Sequence, residues 1–263
     1  GITISRAELA VFLLFFSCLL RFRQFFISNC IYDVKNLNTP TLTLVFCSAL
    51  LPLIIFYTFR FFPLIFSTPN FLNTMIPLSM SLIFIFIYLS FNTTNIKSII
   101  SYLAFSQVSI IFYIFCLKEY HAAMFYFITL SLSITMLYLS IGYVVSKFNN
   151  ISNVKVMGGI IFKMPSMFLF TLIAFLSTSG VPFFSGFYSH EVIISTFYNS
   201  DQAILVPSTL IGISASFLIS YVFLKNIILI FLGKNKGNIH EFNKISENSS
   251  TNKLIFFCLG LCL

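Results

Sequence analysis

Arg21, His190, Glu191 and Lys225 stand inside stretches that are otherwise apolar. A charge held in hydrocarbon is costly, so an ionisable side chain at membrane depth generally serves ion movement. His190 is the type best suited to proton exchange, because a free imidazole titrates at about 6.5 and can cycle at physiological pH. Glu191 follows it directly, but helical neighbours i and i+1 do not face each other, so the two need not form an ion pair. Arg21, in the run Arg21-Phe22-Arg23-Gln24, carries a charge that it cannot give up. Lys225 lies eight residues before Gly233. Each residue also has a plainer reading. His190 can be an interface histidine satisfied by Glu191 or a carbonyl. Lys225, Arg21 and Arg23 can lay their stems along apolar surface with their heads at the interface, the arginines on lipid phosphate.

The elements that position these residues must be membrane helices. Of 263 residues, 58% are hydrophobic and only 8% charged, against roughly 25% charged in an ordinary soluble domain. A soluble fold could not hide that much apolar surface. A spanning helix needs about 20 mainly apolar residues, and the sequence offers seven such segments with the start of an eighth, near 5–26, 41–66, 71–92, 97–117, 120–146, 164–200, 204–232 and 254–263. The fold expected is all-α: a polytopic transmembrane bundle forming a single domain over 1–263, with connectors too short to be a linker to a second domain. Gly1 and the apolar run around Leu263 read as cut ends, either of part of a longer protein or of a gene product that is itself a fragment, and no cleavable leader is visible.

The sixth segment is too long for one span. Pro165 to Ser200 as a single helix would measure roughly 54 Å, against a hydrocarbon core of about 30 Å. It contains Gly180-Val181-Pro182 and Ser185-Gly186, residues that loosen a helix or remove a backbone donor. A break near 180–186 follows. Broken helices at membrane depth are tolerated only where protein or water satisfies the freed backbone, and they often mark ion sites. A hairpin or a kink without function is the alternative.

The net charge of +8 would suggest nucleic acid in a soluble protein, but here the charges cluster in loops and describe orientation instead. With the connectors numbered in order, the odd ones hold Lys35, Lys97, Lys147, Lys155, Lys163, Lys234, Lys236, Lys244 and Lys253, which is nine, and the even ones hold Arg60 and Lys118, which is two. The odd connectors should therefore face the matrix or cytoplasm. The six cysteines, Cys18, Cys30, Cys47, Cys116, Cys258 and Cys262, form no CxxC pair and no spacing with histidine that would hold a metal. They read as small buried apolar residues.

Three runs together resemble subunit 5 of the respiratory NADH:ubiquinone oxidoreductase (complex I), an antiporter-like membrane subunit. The first is Met157-Gly158-Gly159, then Lys163-Met164-Pro165, then Gly180-Val181-Pro182-Phe183-Phe184-Ser185-Gly186-Phe187-Tyr188-Ser189-His190-Glu191. The second opens on Ile96-Lys97 and closes on Ser106-Gln107, and the third runs from Thr39-Pro40 to Arg60-Phe61-Phe62-Pro63-Leu64. The resemblance covers roughly 20–233, the middle of that subunit, and leaves out its early helices and long lateral helix. Other antiporter-like subunits and the multisubunit cation/proton antiporters share the broader pattern.

The resemblance implies a multi-pass subunit of the mitochondrial inner membrane, contributing to proton translocation coupled to electron transfer. It implies partners among the other membrane-arm subunits and membrane lipids, cardiolipin among them, with no role for nucleic acid. No cofactor is expected on this chain, since it has no GxGxxG, P-loop or cysteine cluster, and NADH, FMN, iron–sulfur and ubiquinone sites belong on other subunits. The family's midplane row of lysines and histidines is only partly kept. Arg21 stands at a lysine of that row, and Phe46 at a histidine. Tyr126, Leu130 and Ile134 replace three further titratable groups. His190 takes the place of the lysine on the broken helix, with Glu191 at its acidic neighbour, and Lys225 matches a basic residue of the next segment. Either water and the hydroxyls of Tyr126, Thr129, Ser131 and Ser133 bridge the apolar gap, or the central path is degenerate and the subunit serves as a scaffold. A cation/proton antiporter acting alone is a further alternative, though it would be expected to keep an intact ionisable path.

Overall fold

The computed structural model describes residues 69–148, 151–198 and 205–234, with Leu13, Phe56, Phe59, Arg60 and Gly260 individually. Apart from those five residues, the segments expected near 5–26, 41–66 and 254–263, and with them Arg21 and Phe46, lie outside the described residues. Within them the chain forms helices α1 (Pro69–Asn92), α2 (Ile96–Cys116), α3 (Tyr120–Lys147), α4 (Pro165–Thr178), α5 (Ser185–Tyr198) and α6 (Leu205–Ile227), with a 3-10 turn at Ile160–Phe162 and a π turn at Ile228–Leu232. Four stretches, Thr74–Asn92, Ile96–Cys116, Tyr120–Lys147 and Gly212–Leu232, are long and apolar enough to cross a membrane. The first three have bounds within a few residues of the segments expected from hydropathy; the fourth ends where expected, at 232, but begins eight residues later than 204.

Helix α2 is the centre of the bundle, and every one of its 21 residues is buried. Asn95 caps it by accepting a hydrogen bond from the Lys97 backbone N–H at 3.1 Å, which satisfies one of the free donors at a helix start. Helix α1 packs along α2, α3 packs on α2, α4 and α5, and α6 lies against α1 and α4. On α6 the residues Ile213, Phe217, Tyr221 and Leu224, with Ile228 at the start of the π turn, are exposed, and their spacing of three and four draws one outward stripe. Ala215, Ile219, Val222 and Phe223 are buried between them. Both faces are apolar, as lipid requires.

Hydrophobic driving force between helices is absent in lipid, so close backbone approach and satisfied polar groups decide the packing. Small residues stand at the contacts: Ala122, Ala123, Ala174 and Ala215 are all almost completely buried. Several hydroxyls along the spans turn back onto their own helix. Ser101 donates to the Ser98 carbonyl at 2.8 Å, Ser106 to Leu103 at 2.7 Å and Ser133 to Thr129 at 2.7 Å. A buried hydroxyl thus meets an acceptor without needing water.

The connector after α3 is tied across the start of α2. Ile96 N–H donates to the Ser152 carbonyl at 2.8 Å and Val154 N–H to Thr94 at 2.9 Å. Gly158 lies so near the end of the π turn that a Cβ there would stand 2.5 Å from the Lys234 carbonyl oxygen. Lys97, Lys147, Lys155, Lys163 and Lys234 are thereby gathered at one end of the bundle, and Lys118 follows the opposite end of α2. Lys97, counted with its connector by sequence, sits in the first turn of α2 and is 6% exposed.

The long sixth segment is broken as its length demands. Helix α4 begins with Pro165 in its first turn, where the missing N–H costs nothing. It ends in a left-handed closure: Gly180 has φ +72, its N–H donates to Ser177 at 3.2 Å, and Val181 N–H donates to Leu176 at 3.1 Å. This is a Schellman arrangement, in which glycine enters the left-handed region without a Cβ penalty. Pro182 then prevents the helix from resuming. Helix α5 restarts at Ser185, so Ser185 and Gly186 belong to its first turn and the irregular segment is Ser179–Phe184. At Gly186 a Cβ would collide with the Ser177 carbonyl oxygen; the two half-helices touch there backbone to backbone.

Candidate functional site

The restart at Ser185 places His190 between one and two turns into α5. From there its imidazole meets α3, where the Tyr126 ring stands edge-on at 5.2 Å between centroids. It also lies against the backbone of Thr178 at the end of α4, to which it can donate an N–H. Gly180 makes room for it, since a Cβ there would come within 2.7 Å of the imidazole Cδ2. One glycine thus serves both the left-handed turn and the ring's seat. The break and the histidine are a single construction.

Around the imidazole is a small polar cavity lined by Gln107 of α2, Tyr126, Thr129, Leu130 and Ser133 of α3, Ser177 and Thr178 of α4, and Gly186 and His190 of α5. Thr129 Oγ1 donates to Ser189 Oγ at 3.2 Å and also approaches the Tyr126 carbonyl at 3.0 Å. Ser177 and Ser185 hydroxyls meet at 3.3 Å across the break. Gln107 is 2% exposed, and its Oε1 has no hydrogen-bond partner among the described residues. Tyr126 and Leu130, which the family resemblance places at lost titratable groups, line this cavity. Ile134, one turn further along α3, is fully buried and does not line it.

The other candidates lie elsewhere. Glu191 is exposed on α5, turned from the cavity as its position next to His190 requires. Lys225 is exposed on α6, and its Nζ stands 5.8 Å from the centre of the Phe91 ring at the end of α1, a cation–π distance. That end carries the clustered lysines. Of the four bridging hydroxyls, Tyr126, Thr129 and Ser133 meet at the cavity, while Ser131 donates to the Ile128 carbonyl on an exposed face. Gln107, Thr178 and Ser189 were not singled out by sequence reasoning. For Gln107 a signal was present, an uncharged polar residue deep in an apolar run.

Among the described residues no group of histidine, cysteine, aspartate or glutamate is arranged to hold a metal. The site joins an imidazole to hydroxyl and amide groups, the kinds of group between which a proton can be held and passed. Apolar spans packed around a helix broken at membrane depth, with an ionisable group just past the break, define an antiporter-like membrane protein. Residues 2–218 match the family NADH:quinone oxidoreductase/Mrp antiporter, TM, and the chain belongs to it.

Relatives within that family agree with the motif resemblance. The chain is 28% identical over 146 residues to NADH-ubiquinone oxidoreductase chain 5 of Dictyostelium discoideum, covering 56% of this chain and 22% of that protein. It is 33% identical over 145 residues to NADH-quinone oxidoreductase subunit L of Rickettsia typhi, covering 54% and 21%. The matched region spans about a fifth of the length of these curated relatives. Among solved structures, a chain of the Mrp complex from Dietzia sp. DQ12-45-1b superposes with a TM-score of 0.69 at 19% identity, over 77% of this chain and 38% of that one. A chain of the archaeal membrane-bound sulfane sulfur reductase gives 0.69 at 17% identity, over 87% and 46%. These two likenesses establish the antiporter-like fold.

Proposed function

We propose that this chain is part of a membrane-arm subunit of the NADH:ubiquinone oxidoreductase, of the chain 5 type, and that it contributes to proton translocation through His190. The observation that carries the reading is the imidazole held against Tyr126 and Thr178 inside a polar cavity, immediately past the helix break. His190 takes and releases the proton, Gly180 and Thr178 fix its ring, and the hydroxyls of Thr129, Ser133 and Ser189 supply polar neighbours. Redox chemistry, with NADH, FMN, iron–sulfur clusters and ubiquinone, takes place on other subunits and drives this one. Its partners are other membrane-arm subunits and lipids, and its location is the mitochondrial inner membrane.

A restricted path is favoured by Ile134. Its full burial, at a position where the resemblance expects a lysine, supports a route that ends at the His190 cavity and does not run on through α3. Arg21, Glu191 and Lys225 remain secondary candidates for the path.

Affinity purification of the chain from its native membrane separates this reading from a carrier acting alone. NADH-driven ubiquinone reduction is expected to copurify with it. A homogeneous single-chain preparation that exchanges cations for protons, without such activity, contradicts the assignment.

Orientation has its own test. In right-side-out inner-membrane vesicles trypsin is expected to leave Lys155 uncut and to reach Lys118, with the reverse pattern in inverted vesicles. Cleavage at Lys155 from the intermembrane side contradicts the orientation read from the lysine bias.

A further inference from the structure

We propose that Gln107 holds a single buried water against His190, making Gln107 a positioning residue for the proton acceptor of that histidine. This rests on the proton-translocating reading of His190. The cavity between them has room for about one water. A buried water needs two to four polar partners, and the donors and acceptors around this cavity specify its orientation. The Ser133 hydroxyl hydrogen is committed to the Thr129 carbonyl at 2.7 Å, and that of Thr129 is shared between the Tyr126 carbonyl and Ser189 Oγ. Both hydroxyls therefore offer the cavity only acceptor lone pairs. Gln107 Oε1 is another acceptor, buried and unpartnered, and an unsatisfied amide oxygen at 2% exposure is a costly thing to leave alone.

These three acceptors, Gln107 Oε1 and the two α3 hydroxyl oxygens, are met by a guest that donates twice, and water does so. It donates one hydrogen to Gln107 Oε1 and the other to a hydroxyl oxygen of α3, and its own oxygen then faces the imidazole. The imidazole lies against the Thr178 backbone, and a second ring nitrogen is the group that meets this water. Gln107 cannot itself carry a proton onward. Its part is to fix the water so that the proton of His190 has an acceptor in line, in a stretch where Tyr126 and Leu130 offer no titratable group.

The test uses the intact oxidoreductase carrying Gln107→Met, which keeps the side-chain length and removes the acceptor, and Gln107→Glu, which retains an acceptor oxygen. Proton uptake per NADH oxidised is measured in proteoliposomes, and water density is sought in a high-resolution map of the unaltered complex. Gln107→Met should slow transfer through this subunit on the order of ten-fold, Gln107→Glu should restore most of it, and Gln107→Met should add nothing to His190→Ala. A merely structural role would make the two substitutions additive, and additivity overturns the proposal. Normal proton transfer in Gln107→Met, with a loss in His190→Ala, overturns the Gln107 assignment and leaves the His190 reading standing. Normal transfer in His190→Ala removes both. Should Gln107→Met fail to assemble, the map decides: a water bonded to both Gln107 and His190 supports the proposal, and an empty cavity or a coordinated metal ion contradicts it.

Discussion

Ile134→Lys is expected to abolish assembly of the complex. The site is fully buried on α3, and the substitution places an ammonium where a buried isoleucine stands. A lysine at the centre of a spanning helix costs about 2.5–3.5 kcal/mol even when water and lipid can rearrange, and a buried charge left without a partner costs about 3–5 kcal/mol. Either loss is comparable with the small margin by which folded proteins hold together. Ile134→Met, which conserves volume and polarity, should cost less than about 1.5 kcal/mol and leave proton transport unchanged. The amount of assembled complex on native gels reads both outcomes. An Ile134→Lys complex that assembles and moves more protons per NADH would mean that water reaches this position and that the path does continue through α3.

Gly186→Ala is expected to be almost as damaging, for a steric reason. The added methyl has nowhere to go, because a Cβ at this position overlaps the Ser177 carbonyl oxygen, a backbone atom that cannot rotate away. Overpacking a tight contact costs about 1–3 kcal/mol, and a collision with backbone belongs at the upper end. Helix α5 must then lift from α4, carrying His190 away from Thr178 and Tyr126, so residual complex should also be impaired in proton transport. Gly212→Ala is the internal control. It lies in α6 with nothing within 4 Å of an added Cβ, and alanine favours a helix over glycine by about 1 kcal/mol. If Gly186→Ala assembles as well as Gly212→Ala, the close crossing of the two half-helices is not what holds the site.

The parts of this account that sequence could supply are those governed by length and by punctuation. Apolar runs of span length gave α1, α2, α3 and α6 to within a few residues, because lipid leaves a spanning segment little choice but helix. The break was legible because 36 residues cannot cross once, and Gly180 and Pro182 marked where the helix would yield. What periodicity could not supply was which side faces inward. In a soluble helix the polar stripe points outward; here both sides are apolar, as α6 shows, and the direction of each serine is settled only by its neighbours. Ser131 and Ser133 differ by two positions, yet Ser133 lines the cavity and Ser131 does not. Gln107 was visible as a polar residue in an apolar run, but its place in the same cavity as His190 depends on how α2 and α5 each pack on α3, which no local pattern encodes. By sequence Lys97 reads with its connector, because the strap of Ser152 and Val154 that covers the helix start is a long-range feature.

The central claim, that His190 carries the proton at the helix break, is tested most directly by the proton-to-NADH ratio of the intact oxidoreductase bearing His190→Ala, reconstituted in sealed vesicles. Removal of a positioned proton-transfer group lowers the step it serves by about 10²-fold or more, so this subunit's contribution should disappear and the ratio should fall, while NADH oxidation in detergent continues. An unchanged ratio in a fully assembled His190→Ala complex would contradict the account and leave the subunit as a scaffold.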